Sequence, residues 1–184
     1  MEPDNSKPGL VQIFYGNGKG KTTSALGIAL RALGNNHSIY LVQFMKNGAR
    51  SLDEQIPGEI KSLSKFDNFS FKRFGLGEWY KKGKNDISHK EKVDEAFNHL
   101  LESLNKDYNI LIADEILYAV QLGLLPESKV IDLIQQKPKN KELILTGAHI
   151  PFPKIFELAD LVTEIKKVKH PYDKGIMARK GIEY

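Results

Sequence analysis

Short apolar runs alternate along the chain with longer amphipathic stretches, the pattern of a sheet whose strands are covered by helices on both faces. Residues 10–15 read as a buried strand, and so do the near-continuous apolar runs within 38–45, 110–113 and 143–147. Phe69, Phe71 and Arg73 alternate with polar neighbours ahead of Gly75 and Gly77, which predicts a strand there. Residues 22–33 predict a helix with Leu26, Ala29, Leu30 and Leu33 on one side and Gly34 as its stop. Ser88 followed by Glu91 has the spacing of a capping box, and Val93, Phe97, Leu100, Leu101 and Leu104 recur at helical intervals behind it, so the longest helix is expected here. Residues 127–136 and 154–159 also read as helical, 161–168 as extended, and 169–184 as an irregular tail. Residues 52–63 fit no one element because Pro57 and Gly58 interrupt them. The sum is an α/β, single-domain, doubly wound and mostly parallel sheet over residues 9–184, preceded by a flexible polar arm at residues 1–8. In such a sheet ligands gather at the carboxyl ends of the strands.

The run Gly16-Asn17-Gly18-Lys19-Gly20-Lys21-Thr22-Thr23 sits between the first strand and the first helix. A glycine-rich loop in that context binds phosphate through its backbone N–H groups, helped by the helix N-terminus. Lys21 supplies a point charge to the phosphate chain and Thr22 a hydroxyl for Mg²⁺, with Mn²⁺ as an alternative cation. The usual motif separates its glycines by four residues, whereas Asn17, Gly18 and Lys19 alone separate Gly16 from Gly20. The loop is one residue short, so phosphates cannot be assumed to sit where a kinase would hold them. Asp114 and Glu115 end an apolar strand, where a carboxylate needs a cation, hydrogen-bond donors or a metal. Either can be the metal carboxylate, and the other can cap the helix beginning near Ile116.

Composition narrows the chemistry. The 184 residues suffice for one well-buried domain, and the absence of cysteine removes disulfides, thiolate metal sites and cysteine nucleophiles while fitting a reducing compartment. The net charge of +4 arises from lysines scattered among carboxylates, locally dense at Lys81, Lys82, Lys84 and at Lys166, Lys167, Lys169. Without aromatic interleaving or a recognition motif this bias points to a polyanionic small molecule and not to nucleic acid. No segment is long and apolar enough to span a bilayer, so the chain reads as cytoplasmic with no membrane partner.

With the loop, Val42-Gln43-Phe44-Met45-Lys46, Asp114-Glu115 followed by Tyr118, Thr146-Gly147, and a tail running from Glu157-Leu158-Ala159-Asp160 through Val168-Lys169-His170 and Asp173-Lys174-Gly175 to Gly181-Ile182-Glu183-Tyr184, the chain resembles the P-loop ATP:corrinoid adenosyltransferases. The resemblance covers nearly the whole chain. It implies transfer of the 5′-deoxyadenosyl group of ATP to the cobalt(I) of a reduced corrinoid, cobalamin or cobinamide, with release of triphosphate. It further implies ATP held in the reverse of the usual sense, a homodimer, and a flavoprotein reductant as transient partner. The segment that would pack aromatic rings on the lower corrin face contains Phe74, Trp79 and Tyr80, of which Trp79 is favoured and Phe74 comes second. Ala148 stands where many members of that family carry arginine, and His149, Arg31 or Lys46 are candidates to replace the lost contact. Two other readings compete: a P-loop phosphotransferase or NTPase, which would release ADP or transfer phosphate, and a nucleotide-dependent binding module with no adenosyl transfer.

Overall fold

A computed structural model describes residues 8–46 and 56–183. The expected arm lies almost wholly outside those residues, as do the loop at 47–50 and the start of the ambiguous segment at 52–55. In chain order the elements are β1 (Val11–Tyr15), α1 (Lys21–Leu33), β2 (Ile39–Phe44), α2 (Gly58–Leu63), β3 (Phe69–Phe74), α3 (Asp86–Leu104) and β4 (Ile110–Asp114). There follow α4 (Ile116–Gln121), α5 (Glu127–Gln136), β5 (Glu142–Thr146), α6 (Pro153–Phe156) and β6 (Leu161–Glu164). The strands form one sheet in the order β3-β2-β4-β5-β1-β6, and every pair is parallel.

Strand side chains alternate between faces, so each strand feeds two cores. Ile39, Leu41, Ile110, Ile112, Ile144 and Phe14 turn toward Ala25, Leu26, Ala29 and Leu33 of α1 and Ile60 and Leu63 of α2. Tyr40, Val42, Phe44, Leu111, Ala113, Leu143 and Leu145 turn the other way, onto a layer that includes Val93, Phe97 and Leu100 of α3, Leu117 of α4 and Leu133 of α5. This double coverage is why β2 and β4 are buried along their whole length and read as near-continuous apolar runs. The two winding directions leave the carboxyl ends of β1, β2, β4 and β5 on a common rim, where the loops that follow them meet.

Four local features differ from the sequence reading. α3 begins at Asp86, two residues ahead of the Ser88 capping box, because the side chains of Asn85 and Asp86 are used on the turn before the helix: the N–H groups of Lys81 and Gly83 each donate to them at 2.9 Å. α1 does end at Leu33, but Gly34 stays right-handed at φ −64° and the reversal falls on Asn36 at φ 61°. The expected helix at 154–159 is a single four-residue turn and the expected extended segment at 161–168 keeps strand pairing only to Glu164.

Ile112 is fully buried in the face covered by α1 and α2. Ile112→Ala is expected to lower the unfolding free energy by about 2–5 kcal/mol, read as a lower urea midpoint with an unchanged denaturant slope.

Candidate functional site

Each of the four central strands ends in a residue of positive φ: Gly16 (112°) after β1, Met45 (55°) after β2, Glu115 (64°) after β4, and Gly147 (114°) with Ala148 (58°) after β5. Three of these five are not glycine. Such conformations cost about 1–3 kcal/mol each, collect at functional sites, and here fold the chain sharply over the same rim.

The loop from Gly16 to Gly20 is held from outside. The N–H of Gly16 donates to the Ala148 carbonyl at 3.0 Å, that of Gly18 to Ile165 at 2.8 Å, and that of Lys167 to Asn17 Oδ1 at 2.9 Å. A Cβ on Gly16 would lie 2.4 Å from the Ile165 carbonyl oxygen, and one on Gly18 would lie 2.8 Å from the same atom. These two glycines are therefore required by the chain that follows β6, whereas a Cβ on Gly20 would meet nothing within 4 Å. No side chain caps the start of α1, so its first N–H groups are offered to a ligand anion.

Lys21 folds back over the loop, with Nζ donating to the carbonyls of Gly16 at 2.7 Å and Gly18 at 3.0 Å. Burial pushes its pKa below the usual lysine value, Glu115 opposes that shift, Lys46 adds to it and Asp114 opposes it again. The two strand-end carboxylates have separate jobs. Asp114 is fully buried; its Oδ1 accepts from the hydroxyls of Thr22 at 2.7 Å and Thr146 at 2.6 Å, and its Oδ2 accepts from Gln43 Nε2 at 2.8 Å. Glu115 is partly open, its N–H donates to Thr146 Oγ1 at 3.0 Å, and its carboxylate lies 3.4 Å from Lys46 Nζ.

This donor set fits a divalent cation. Thr22 gives its proton to Asp114, which leaves the hydroxyl oxygen free to act as a ligand. Among the described residues no group of three or more His, Asp or Glu side chains forms a cage, so a cation here would complete its shell with polyphosphate oxygens and water, as Mg²⁺ commonly does.

The remaining candidates fall in different places. Lys46 lies in the site beside Glu115, and Arg73 donates to the Lys46 carbonyl. Arg31 is exposed in the last turn of α1, about 15 Å along the helix from Lys21. His149 is exposed with its ring 5.4 Å from Tyr118, and Ala148 is buried with its carbonyl committed to Gly16. Of the two aromatics, Trp79 is 87% exposed, while Phe74 is turned to the α3 side of the sheet, its ring 5.4 Å from that of His99. Phe74 ends β3 on the pleat opposite Arg73, so its ring is part of the core and offers no open face. The C-terminal segment reaches the loop: Lys19 Nζ lies 3.4 Å from the Ile182 carbonyl and 3.8 Å from Glu183, whose carboxylate is held by Arg179 at a pKa of about 2. Between α1, α2 and residues 181–183 runs a groove of about 440 Å³ walled in part by Leu26, Leu30, Leu63 and Ile182.

Two residues that sequence reasoning left without a role, Gln43 and Thr146, complete the environment of Asp114. Gln43 had a readable signal: it is polar inside a strand apolar enough to be covered on both faces, where an amide must find partners.

The family described as ATP:corrinoid adenosyltransferase BtuR/CobO/CobP matches residues 7–184. The chain belongs to that family. The corrinoid adenosyltransferase of Escherichia coli K12 is 33% identical over 181 residues, covering 96% of this chain and 86% of its own length. That of Pseudomonas aeruginosa is 33% identical over 179 residues, covering 96% and 84%. Among solved structures, the RadB recombinase aligns with a TM-score of 0.48 at 14% identity over 89% of this chain and 77% of that one, a likeness too loose to bear on activity.

Gly16→Ala places a methyl group against the Ile165 carbonyl at a strained φ, and Gly20→Ala meets only the φ strain. The first is expected to lower stability by more than about 3 kcal/mol and to abolish ATP binding, the second to cost about 1–3 kcal/mol with binding retained. Chemical denaturation and calorimetric titration with ATP would read both.

Proposed function

We infer that the protein transfers the 5′-deoxyadenosyl group of ATP to the cobalt(I) of a reduced corrinoid and releases inorganic triphosphate. The observation that carries this reading is the family match across residues 7–184, which takes in the shortened loop and both strand-end carboxylates. The electron pair on cobalt(I) forms the new bond to C5′ as the C5′–O bond breaks, and that bonding pair leaves on the triphosphate oxygen. The nucleophile belongs to the substrate, so the chain's contribution is alignment and stabilisation of charge on the leaving group.

Lys21, the loop N–H groups other than those of Gly16 and Gly18, and the N-terminus of α1 hold the triphosphate, with Lys46 a second cation at the rim in the place of the arginine that Ala148 does not supply. Swinging Lys21 from the Gly16 and Gly18 carbonyls to phosphate replaces two neutral acceptors by a charged one, which is the stronger partner. A bound Mg²⁺ would neutralise part of the phosphate charge, held by the Thr22 hydroxyl with Asp114 behind it. ATP lies in the reverse sense along the short loop, leaving C5′ open, and Trp79, exposed on the loop after β3, covers the lower face of the corrin. Phe74 supports the root of that loop from within the core. The protein works in the cytoplasm as a homodimer, with a flavoprotein reductant as its transient partner. Among the described residues no helix is long and apolar enough to cross a membrane.

Anaerobic reaction with MgATP and chemically reduced cobalamin is expected to yield light-sensitive adenosylcobalamin and one triphosphate per turnover. ADP as the phosphate product, with the corrin spectrum unchanged, would replace this reading by a phosphotransferase. Lys21→Ala is expected to lower kcat/KM by about 10²–10³, with part of the loss in kcat because the charge it meets grows in the transition state.

A further inference from the structure

Arg73, Gln43 and Asp114 are directly opposite one another in the register of β3, β2 and β4. Residues paired in this way point to the same face, so the three side chains form a polar row one strand spacing apart, about 4.8 Å, on the side of the sheet that carries α1. Gln43 is the middle member and is 2% exposed. A carboxylate accepts and cannot donate, so the group that meets Asp114 Oδ2 at 2.8 Å has to be the NH₂ end of the amide, and this fixes the orientation of Gln43. Its other end, Oε1, is buried and has no hydrogen-bond partner among the described residues. A buried acceptor in that state is uncommon and wants an explanation beyond packing.

Asp114 has two oxygens with different duties. Oδ1 takes the protons of Thr22 and Thr146, and Oδ2 is held by Gln43 alone among the donors described. Without that donor, Oδ2 is a desolvated anionic oxygen, and the carboxylate lowers its energy by rotating toward whichever hydroxyl or cation is near. Rotation changes where the Thr22 proton goes, and with it the direction in which the Thr22 oxygen faces a ligand.

We propose that Gln43 is a positioning residue: its amide fixes the Asp114 carboxylate so that Thr22 presents its oxygen to the divalent cation of the nucleotide, and its Oε1 is the acceptor for a water of that cation's shell. This rests on the reading of Thr22 as cation ligand given above. Partners at this remove from a metal change its affinity by about 10–100-fold when they are lost.

The test uses the full chain, Mn²⁺ in place of Mg²⁺, and ATP without corrinoid, so that no turnover occurs. Binding of Mn²⁺-ATP is followed by water-proton relaxation enhancement, beside binding of ATP in EDTA. Gln43→Met keeps the volume and removes both ends of the amide; it is expected to weaken Mn²⁺-ATP at least 10-fold while metal-free ATP binds as in the parent. In turnover the same variant should raise the Mg²⁺ concentration for half-maximal rate, with much of kcat recovered at high Mg²⁺. An unchanged Mn²⁺ affinity, or equal weakening with and without metal, would overturn the proposal and leave Gln43 a packing residue. Thr22→Val separates the two readings: if it leaves Mn²⁺ affinity intact, the cation reading itself fails, and if it weakens Mn²⁺ where Gln43→Met does not, only the role of Gln43 fails. Should Gln43→Met not fold, the assigned side-chain amide resonance of Gln43 in the unaltered protein decides: it should shift on adding ATP with Mg²⁺ and not with ATP in EDTA, and an identical response to both would overturn the proposal.

Discussion

The buried carboxylate of Asp114 is the constraint on which the site depends. A charge taken out of water costs several kcal/mol unless hydrogen bonds replace its hydration. Here the replacements come from β2, β5 and the first turn of α1, through Gln43, Thr146 and Thr22. One anion thereby ties together three strands and the helix that follows the phosphate loop. Removing any of these donors leaves part of the buried charge unsatisfied. The same knot turns Thr22 into a hydroxyl whose proton is already spoken for, which is what a cation ligand must be.

Parallel topology explains why the knot forms at this rim. In a parallel sheet with helices on both faces, every strand leaves toward the same edge, and the chain must turn over that edge to begin a helix. The turns use Met45, Glu115 and Ala148 in conformations that suit glycine better. Those strained residues are held by what the turns bring into place: the Ala148 carbonyl receives Gly16, and the Glu115 N–H reaches Thr146. A Cβ on Gly147 would come 2.7 Å from the Tyr118 nitrogen, so the turn after β5 and the start of α4 are packed backbone to backbone. The strain and the close approach are two aspects of one compact crossing.

Local pattern made much of this legible. The apolar runs of β1, β2, β4 and β5, the helix over 127–136 and the phosphate loop each announce themselves within a dozen residues, since burial on two faces or a need for positive φ constrains composition directly. What stayed hidden depends on partners distant in the chain. Gln43 meets Asp114 from 71 residues away, Thr22 meets it from 92, and Lys167 meets Asn17 from 150. The glycines of the loop read as room for phosphate, and the structure adds that Gly16 and Gly18 are also room for Ile165. Ser88 misled for the complementary reason: a capping signature is local, but Asn85 and Asp86 had already been drawn into the turn at 81–84.

The arrangement also bears on which bond of ATP breaks. Hydrolysis or phosphoryl transfer needs a group to orient and deprotonate an attacking oxygen beside the terminal phosphate. Asp114 has both oxygens engaged as acceptors, and the Glu115 carboxylate lies against Lys46. His149 is exposed and its backbone is fixed to Gln121 at the far side of the turn after β5. Asp114 and Glu115 are thus committed to fixing donors and cations, and among the described residues neither of these two strand-end carboxylates is an idle base. Positive charge, by contrast, is plentiful: Lys21 and Lys46 flank the carboxylates and Lys19 stands at the outer side of the loop. A rim rich in cations and poor in free bases stabilises a polyphosphate as a leaving group better than it activates a water, which is the balance that alkyl transfer from C5′ to a metal nucleophile requires.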